Sequence, residues 1–280
     1  MSGGPRPGVE VSVSPTIRRI LAPNPGMMTG PGTNTYLVGH AEVAVIDPGP
    51  DIAAHVDAVA EAGGGRIRWI LVTHTHSDHS PAAAALAEAT GAARLGFGAR
   101  DGFEPDQEIG DGFVLEIGGA VRLRALHTPG HASNHLCYLH ESDGVLFSGD
   151  HIMEGSTVVI APLDGDMAEY LVSLKRLRDE EPSIRAIAPG HGDLITRPRD
   201  KFDEYLNHRM EREVAIAGAL ASSSSARIPE IVATVYTDVP DFLHPVAEYS
   251  VWAHLRALVA EGRVHCTDPD DRSSVWEWVR

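Results

Sequence analysis

Short apolar runs, separated by turn residues, recur along the first two thirds of the chain. Runs of this length between clusters of Gly, Pro, Asp and Asn predict β-strands. The last four of these runs alternate with Gly and Asp turns, which is typical of an antiparallel sheet. The runs are Asn34 to Val38, Val43 to Asp47, Ile67 to Val72, Phe113 to Ile117, Val121 to His127, Leu136 to His140 and Val145 to Ser148.

The spacing of apolar residues changes to a helical period at several points. Ser80 can cap a helix, Pro81 suits its first position, and the following residues to Glu88 are strong helix formers. Asp166 with Glu169 three residues later predicts a capping box at the start of a second helix. The chain is therefore predicted to combine strands with helices in an α/β fold.

A third region begins after a predicted buried strand at Ile184 to Ala188. A long helix is predicted from about Pro198 to Leu220, and the serines at Ser222 to Ser225 predict a domain boundary. We therefore expect a main domain over residues 1–221, with residues 1–15 flexible, and a small domain over residues 226–280.

The small domain reads as helix, helix and β-wing, which predicts a winged-helix domain. Its helices are predicted at Ile228 to Tyr236 and Val246 to Glu261, and two short strands about Asp268 to Asp271. A winged helix suggests DNA binding, but residues 226–280 hold five Arg and no Lys against nine Asp and Glu, a net charge of −4. DNA readers normally show a basic face. A structural or dimerising tail is favoured.

Overall composition constrains the partners of the chain. It carries 23 Lys and Arg against 39 Asp and Glu, a formal net charge of −16, which repels nucleic acid on average and favours a small substrate. Cys137 and Cys266 are the only cysteines, so reduced structural thiols are expected. The sequence shows neither a signal peptide nor an apolar stretch of membrane-spanning length, and a cytoplasmic protein without a membrane partner is predicted.

Candidate metal ligands are concentrated in one segment, His74-Thr75-His76-Ser77-Asp78-His79. The segment follows a buried strand and precedes a predicted helix, so the side chains lie on one loop. Burying three imidazoles and a carboxylate without a partner would be costly. This crowding favours metal binding over a purely structural role.

Three later turns supply further ligands of the same types. Each follows an apolar run and contains Gly, which permits a tight turn that leaves a His or Asp projecting from a strand end. The turns carry His131 in Thr128-Pro129-Gly130-His131, Asp150 in Ser148-Gly149-Asp150 and His191 in Pro189-Gly190-His191. Seven nitrogen and oxygen ligands are too many for one tetrahedral ion and suit two.

This ordered set resembles the ligand set of the metallo-β-lactamase superfamily, whose fold is an αββα sandwich. The Asp47-Pro48-Gly49 turn also resembles a motif of that family, and the match spans residues 16 to 195. The resemblance implies one metal held by His74, His76 and His131. It implies a second metal held by Asp78, His79 and His191, with Asp150 bridging the two.

The chemistry of such a site is metal-assisted hydrolysis. A divalent ion lowers the pKa of bound water to about 7, so the metal-bound hydroxide can attack without a protein nucleophile. Asp150 has two oxygens and suits bridging, and Asp78 can both ligate and accept a proton from the water. Both are predicted to be catalytic. Nitrogen and oxygen ligands without thiolate favour two Zn²⁺, with iron or manganese as alternatives.

The tail is similar to that of the β-lactamase-like endoribonuclease branch, whose relatives include polyketide-releasing thioesterases. Because the chain is strongly acidic, the leading hypothesis is a hydrolase of a small ester or thioester. A single-stranded RNA endonuclease is the alternative, which would require a basic groove formed from Arg and Lys residues between 197 and 212. A non-enzymatic interaction or DNA-binding module is a weaker third reading, because every ligand position is filled.

Three residues are predicted to bind substrate. His208 and Arg212 lie four apart on one face of the long helix and could grip a carboxylate or phosphate, although a solvated helix face explains them equally well. Asn34 could line the mouth of the site. His135 and His151 each neighbour a ligand turn and are predicted to support the ligands rather than to bind metal.

Overall fold

The computed structural model describes residues 6–155 and 157–279, which divide into two compact units. The first unit contains the described residues of Met1–Thr128, Asn134–Thr157 and Asp179–Pro198. The second contains those of Pro129–Ser133, Val158–Arg178 and Arg199–Arg280.

The first unit is built from twelve strands and two helices among the described residues. Its strands are β1 (Glu10–Ser12), β2 (Ile17–Leu21), β3 (Asn34–Val38), β4 (Val43–Ile46), β5 (Ile67–Leu71), β6 (Ala93–Gly96), β7 (Gln107–Glu108), β8 (Val114–Ile117), β9 (Val121–His127), β10 (Leu136–His140), β11 (Val145–Gly149) and β12 (Ala186–Pro189). Its helices are α1 (Ala53–Gly63) and α2 (Ala82–Thr90).

The strands form two sheets, in the orders β1-β2-β3-β4-β5-β6-β7 and β12-β11-β10-β9-β8. Strands β4 to β7 pair in parallel, whereas β8 to β11 form the predicted antiparallel arrangement. Apolar side chains from both sheets share one core, which includes Tyr36, Leu71, Leu123 and Phe147. A second core joins the seven-stranded sheet to both helices. These layers confirm the predicted α/β fold.

Two details of the first unit differ from the sequence expectations. Residues 1–15 were expected to be flexible, and residues 1–5 lie outside the described residues. Within the rest of this segment, Glu10–Ser12 forms β1, which pairs with β2. Ser80 does not cap α2; its hydroxyl donates to the Thr75 carbonyl at 3.2 Å. Pro81 takes the cap position with helical dihedrals because the preceding residues already form a tight turn.

The second unit is mainly helical. Its helices are α3 (Met167–Arg178), α4 (Pro198–Ser223), α5 (Ile228–Val235) and α6 (His244–Ala260), and its strands are β13 (Ser225–Ala226), β14 (Val264–His265) and β15 (Trp276–Trp278). The first residue of α4, Pro198, belongs to the first unit, and the rest of the helix belongs to the second. The three strands pair in the order β13-β15-β14 around a core that contains Trp252, Leu255 and Trp276. Two helices followed by a small sheet give the predicted winged-helix arrangement. The predicted capping box is partly present, because the Asp166 carboxylate accepts a hydrogen bond from Glu169 N at 3.0 Å.

Among residues 6–155 and 157–279, every helix is too short or too polar to cross a bilayer.

Candidate metal centre

The histidine-rich segment lies on the loop between β5 and α2, as predicted. The loop closes on itself because His79 N donates to the His76 carbonyl at 3.0 Å. A second bond, from Gly49 N to the His79 carbonyl at 2.9 Å, ties it to the turn that follows β4. The backbone therefore fixes where the side chains of this loop begin.

Four of the predicted ligands, Asp78, His79, Asp150 and His191, come together in the first unit. Each offers a ligand atom within 4.8 Å of the others. His191 Nε2 lies 3.1 Å from Asp78 Oδ2 and 3.3 Å from Asp150 Oδ1. His79 Nε2 lies 3.3 Å from the same Asp150 oxygen. We refer to these four residues as the ligand group.

The outer nitrogen of each imidazole in the ligand group has a hydrogen-bond acceptor. His79 Nδ1 lies 2.9 Å from Asp47 Oδ2, and His191 Nδ1 lies 3.1 Å from the Gly32 carbonyl. Because these oxygens accept, both Nδ1 atoms carry the proton. The two Nε2 atoms are buried and face the carboxylates of the group. Metal-binding histidines characteristically use one nitrogen for an outer acceptor and the other for the ion, so the residues fit a metal.

Electrostatics in the ligand group favour positive charge. Burial alone would lower the pKa of His191, but Asp150 and Asp78 outweigh it and raise that pKa to about 9. Burial likewise opposes a rise at His79, yet the surrounding carboxylates raise its pKa well above the usual value. Burial would raise the pKa of Asp150, but the two imidazoles hold it well below its usual range. Protons here occupy positions that a divalent cation would compete for.

Asp47, at the end of β4, orients the ligand loop from behind. It is buried and adopts a φ of 51°, a conformation that costs free energy for a residue other than Gly. Its carboxylate accepts hydrogen bonds from Thr73 N and Thr73 Oγ1, both at 2.8 Å, in addition to its contact with His79. Its carbonyl accepts one from Thr35 Oγ1 at 2.7 Å. These bonds stabilise the strained backbone and hold His79 in one orientation.

Close packing around the ligands requires glycine at two turns. A Cβ atom at Gly190 would lie 2.7 Å from His79 Cε1 and 2.8 Å from Asp150 Oδ1. At Gly149, whose φ is 47°, a Cβ would lie 2.5 Å from Thr73 Oγ1. The glycines that the sequence placed in the ligand turns therefore allow backbone and ligands to approach each other.

His74 and His76 form a pair next to the ligand group. His74 Nδ1 lies 3.0 Å from Thr73 Oγ1, which donates its own proton to Asp47, so His74 Nδ1 is the donor of this pair. His74 Nε2 then faces His76 Nδ1 at 2.9 Å. Two imidazole nitrogens directed at each other suit a shared ion.

His131 lies in the second unit, on the turn after β9. Its Nδ1 lies 2.9 Å from the Val159 carbonyl. Its place with His74 and His76 at the first metal stays a prediction.

His135 and His151 are buried behind the histidine pair. The His135 ring lies 5.1 Å from the His74 ring and 5.6 Å from the His151 ring, measured between centroids. His135 Nδ1 contacts Thr128 Oγ1 at 2.9 Å. Neither histidine belongs to a group of candidate ligands among the described residues, and their supporting role stays a prediction.

The three predicted substrate-binding residues have different surroundings. Asn34 is fully buried and its amide donates to the carbonyls of Pro189 at 3.0 Å and Gly192 at 2.9 Å, so it holds the turn that carries His191. Arg212, on α4, donates to the Val235 carbonyl at 3.2 Å. Its guanidinium also stacks on an aromatic ring and pairs with an acid of its own unit. His208, also on α4, is partly exposed. Substrate binding by all three stays a prediction.

Sequence reasoning underestimated the residues that act through others. Asp47 belongs to the Asp47-Pro48-Gly49 motif, but its contact with His79 depends on a positive φ that the sequence pattern does not reveal. The role of Thr73 as a bridge between Asp47 and His74 is marked by no motif. Only the position of Thr73 before the histidine segment could have suggested it.

Comparisons with known proteins identify the family of the chain. Residues 28–191 match the Metallo-beta-lactamase superfamily, and residues 228–272 match the Beta-lactamase associated winged helix domain. The chain is 33% identical over 275 residues to a Beta-lactamase-like protein 2 homolog of Drosophila melanogaster, covering 91% of this chain and 92% of that protein. It is 34% identical over 249 residues to an Atrochrysone carboxyl ACP thioesterase of Aspergillus chevalieri, covering 85% and 78%.

Solved structures show the same fold. A Beta-lactamase domain protein from Burkholderia ambifaria superposes with a TM-score of 0.83 at 22% identity, covering 99% of this chain and 96% of that one. A metallo-beta-lactamase family protein from Thermus thermophilus gives a TM-score of 0.77 at 23% identity, covering 95% and 100%. Together with the family match and the ligand group, these similarities establish that the chain belongs to the metallo-beta-lactamase superfamily, as a hydrolase with a C-terminal winged-helix domain.

Proposed function

We propose that the chain is a dinuclear zinc hydrolase that cleaves a small ester or thioester. The observation that carries the metal proposal is the ligand group, in which the Nε2 atoms of His79 and His191 meet the carboxylates of Asp78 and Asp150. The two imidazoles are held from behind by acceptors, so their lone pairs are directed to one point.

The neighbouring histidine pair supports a second ion. We assign the first metal to His74, His76 and His131 and the second to Asp78, His79 and His191, with Asp150 between them. Bound to these residues, two divalent ions would lower the pKa of a water and polarise the substrate oxygen. Zinc suits this donor set, and iron or manganese are the alternatives.

Asp78 and Asp150 are the residues of this chain that we propose take part in the reaction. The Asp78 side chain is 23% exposed, so it can meet a substrate and accept a proton from the attacking water. The Asp150 side chain is 13% exposed and its oxygen is near both imidazoles, which suits a bridging ligand.

The substrate class is supported by relatives and by charge. Two relatives, from Aspergillus chevalieri and Aspergillus fumigatus, bear the name Atrochrysone carboxyl ACP thioesterase. Two of the basic residues expected to form an RNA groove pair with acids: Lys201 with Glu204 at 3.1 Å and Arg212 with Asp238 at 3.4 Å. A net charge of −16 further disfavours a polyanionic substrate.

We propose that the main domain spans residues 1–221 and that the small domain spans residues 226–280. The match at residues 228–272 supports the second range. With a net charge of −4 in the tail, we assign it a structural or homodimer-forming role rather than nucleic-acid binding. Cys137 and Cys266 are both buried free thiols, which is consistent with the cytoplasm.

A substrate panel tests the proposed function. Protein reconstituted with zinc, manganese or iron is assayed on an acyl thioester, a p-nitrophenyl ester, a lactone and a single-stranded RNA. We expect the thioester or the ester to be cleaved fastest, with activity lost on chelation and restored by metal. RNA cleavage should be slow, and RNA affinity should fall with salt by a log–log slope of roughly −0.7 per contacted phosphate. Chelator-sensitive RNA cleavage faster than hydrolysis of any ester would overturn the substrate assignment but not the metal assignment.

A further inference from the structure

The second unit contains a buried arginine that lacks an acidic partner. Arg209, on α4, is 2% exposed. Its guanidinium donates to the Val158 carbonyl and lies 5.3 Å from the centroid of the Tyr170 ring. It forms no ion pair with any carboxylate that the structure describes, and its Nε has no hydrogen-bond acceptor there. A buried charge without a counter-ion is costly.

Other arginines of this unit have carboxylate partners although they are more exposed. Arg178 lies 2.8 Å from Asp203, and Arg256 lies 3.1 Å from Asp270. Arg263 lies 2.6 Å from the carboxylate of Glu213. Their side chains are 32% to 40% exposed. Although the chain has 39 acidic residues, this buried arginine has no carboxylate partner within residues 6–155 and 157–279.

Arg209 acts electrostatically on two histidines, His208 and His254. His254, on α6, is completely buried, and neither of its ring nitrogens has a hydrogen-bond partner among the described residues. Burial and then the charges of Arg209 and His208 lower its pKa to about 3, so it is neutral at physiological pH. A neutral imidazole still offers one N–H donor.

His208 precedes Arg209 on α4 and is only partly buried. Its Nδ1 atom is buried and has no partner within the described part of the chain. Burial, Arg209 and Arg212 lower its pKa. The three residues therefore combine one permanent positive charge with imidazole nitrogens that have no partner in the described part of the chain, and His208 is the partly exposed member. We call His208, Arg209 and His254 the basic cluster.

We propose that the basic cluster binds an oxyanion, the carboxylate or phosphate group of the substrate. The guanidinium supplies the charge and a planar set of donors that matches such a group. The imidazoles supply further N–H donors. An anion placed there would satisfy the groups that the protein leaves without partners. The link to a substrate rests on the proposed hydrolase function, whereas the anion site itself does not.

The basic cluster is also connected to a predicted metal ligand within the second unit. Arg209 contacts the carbonyl of Val158, and the carbonyl of the next residue, Val159, accepts the hydrogen bond of His131 Nδ1. Gly130, which precedes His131, packs so closely on Tyr170 that a Cβ atom would lie 2.3 Å from Tyr170 Cα. A bound anion would therefore be anchored to the same segment that orients His131.

A binding experiment tests the anion site without requiring any hydrolysis. Metal-loaded protein with ¹⁵N-labelled imidazoles is titrated with inorganic phosphate and, separately, with acetate, at constant ionic strength maintained by chloride. We expect the His254 resonances to shift saturably with one or both oxyanions, and the preferred anion distinguishes phosphate from carboxylate. Arg209→Gln should weaken this binding by about 10-fold or more, as expected for loss of a charged hydrogen bond. Arg256→Gln, on the same helix as His254, is the control and should bind like the wild type.

Two further variants protect against a folding artefact. Arg209→Lys keeps the charge and should retain weakened binding, and His208→Ala, at a partly exposed position, should weaken binding without unfolding the unit. The proposal is overturned if oxyanions leave the His254 resonances of the wild type unshifted. It is equally overturned if Arg209→Gln and His208→Ala both remain folded and bind with wild-type affinity.

A kinetic comparison then links the site to the substrate. Two acyl thioesters of equal length are used, one ending in a carboxylate and the other in its methyl ester. Arg209→Gln should raise KM for the carboxylate substrate by about 10-fold with kcat little changed, and should leave the neutral substrate unaffected. Equal losses on both substrates would contradict a role in recognising the anion. If the wild type cleaves neither thioester, the proposed function fails, while the titration still decides the anion site.

Discussion

The ligand group of the first unit and the basic cluster of the second unit both contain buried imidazoles, but the charges around these imidazoles differ. In the ligand group, imidazoles meet two carboxylates, and these raise the pKa of His191 to about 9. In the basic cluster, an imidazole meets a guanidinium, and burial and this charge lower the pKa of His254 to about 3. The surroundings of histidine thus favour a cation in the ligand group, whereas in the basic cluster they favour an anion.

The largest expected effect comes from removing a carboxylate from the ligand group. Asp150→Asn should lower turnover on the order of 10³-fold and reduce metal content, because the bridging charge is lost. Asp106→Asn is the control, since that carboxylate is 48% exposed and pairs with Arg94 at 2.8 Å. Kinetics and elemental analysis of both variants check this. Wild-type turnover with full metal content in Asp150→Asn would contradict the bridging assignment.

A smaller effect is expected from the residue that orients the ligand group. Asp47→Asn removes the charge that faces His79 Nδ1 and should weaken binding of the second ion by about 10–100-fold, while the first ion is affected less. Chelator competition measures the two affinities. Asp143→Asn, whose carboxylate accepts a bond from Thr16 at 2.9 Å in the same unit, is the control. An unchanged second affinity would show that the strained Asp47 backbone serves folding alone.

A further effect concerns stability at low pH. Burial lowers the pKa of His55 to about 4, from 6.5 for a free histidine. Between these two values the unfolded chain binds more protons than the folded chain, so the free energy of unfolding falls as pH falls. The slope from this histidine is about 1.4 kcal/mol per pH unit. Denaturant titrations from pH 7 to pH 4 should show a shallower slope in His55→Gln, but not in His40→Gln, at an exposed position. Identical slopes in all three proteins would refute this origin of acid sensitivity.

Sequence patterns predicted the ligand turns because each combined a buried strand, a glycine and a ligand residue. They also located both helices of the winged domain, whose apolar residues recur at helical spacing. Interactions between distant segments had no such signal. Ser80 matched the local rule for a cap but bonds to Thr75 instead, because the ligand loop already turns into α2. His254 belongs to no motif. That its ring nitrogens have no hydrogen-bond partner among the described residues is visible only in the folded structure.

The metal content of the purified protein tests the central claim most directly. Protein reconstituted with excess zinc and freed of loosely bound metal should contain close to two ions per chain by elemental analysis. His79→Ala should contain close to one, because the first-metal ligands are kept. Wild-type protein that saturates at one ion, with Asp78 and His79 free of metal by NMR, would contradict the dinuclear site.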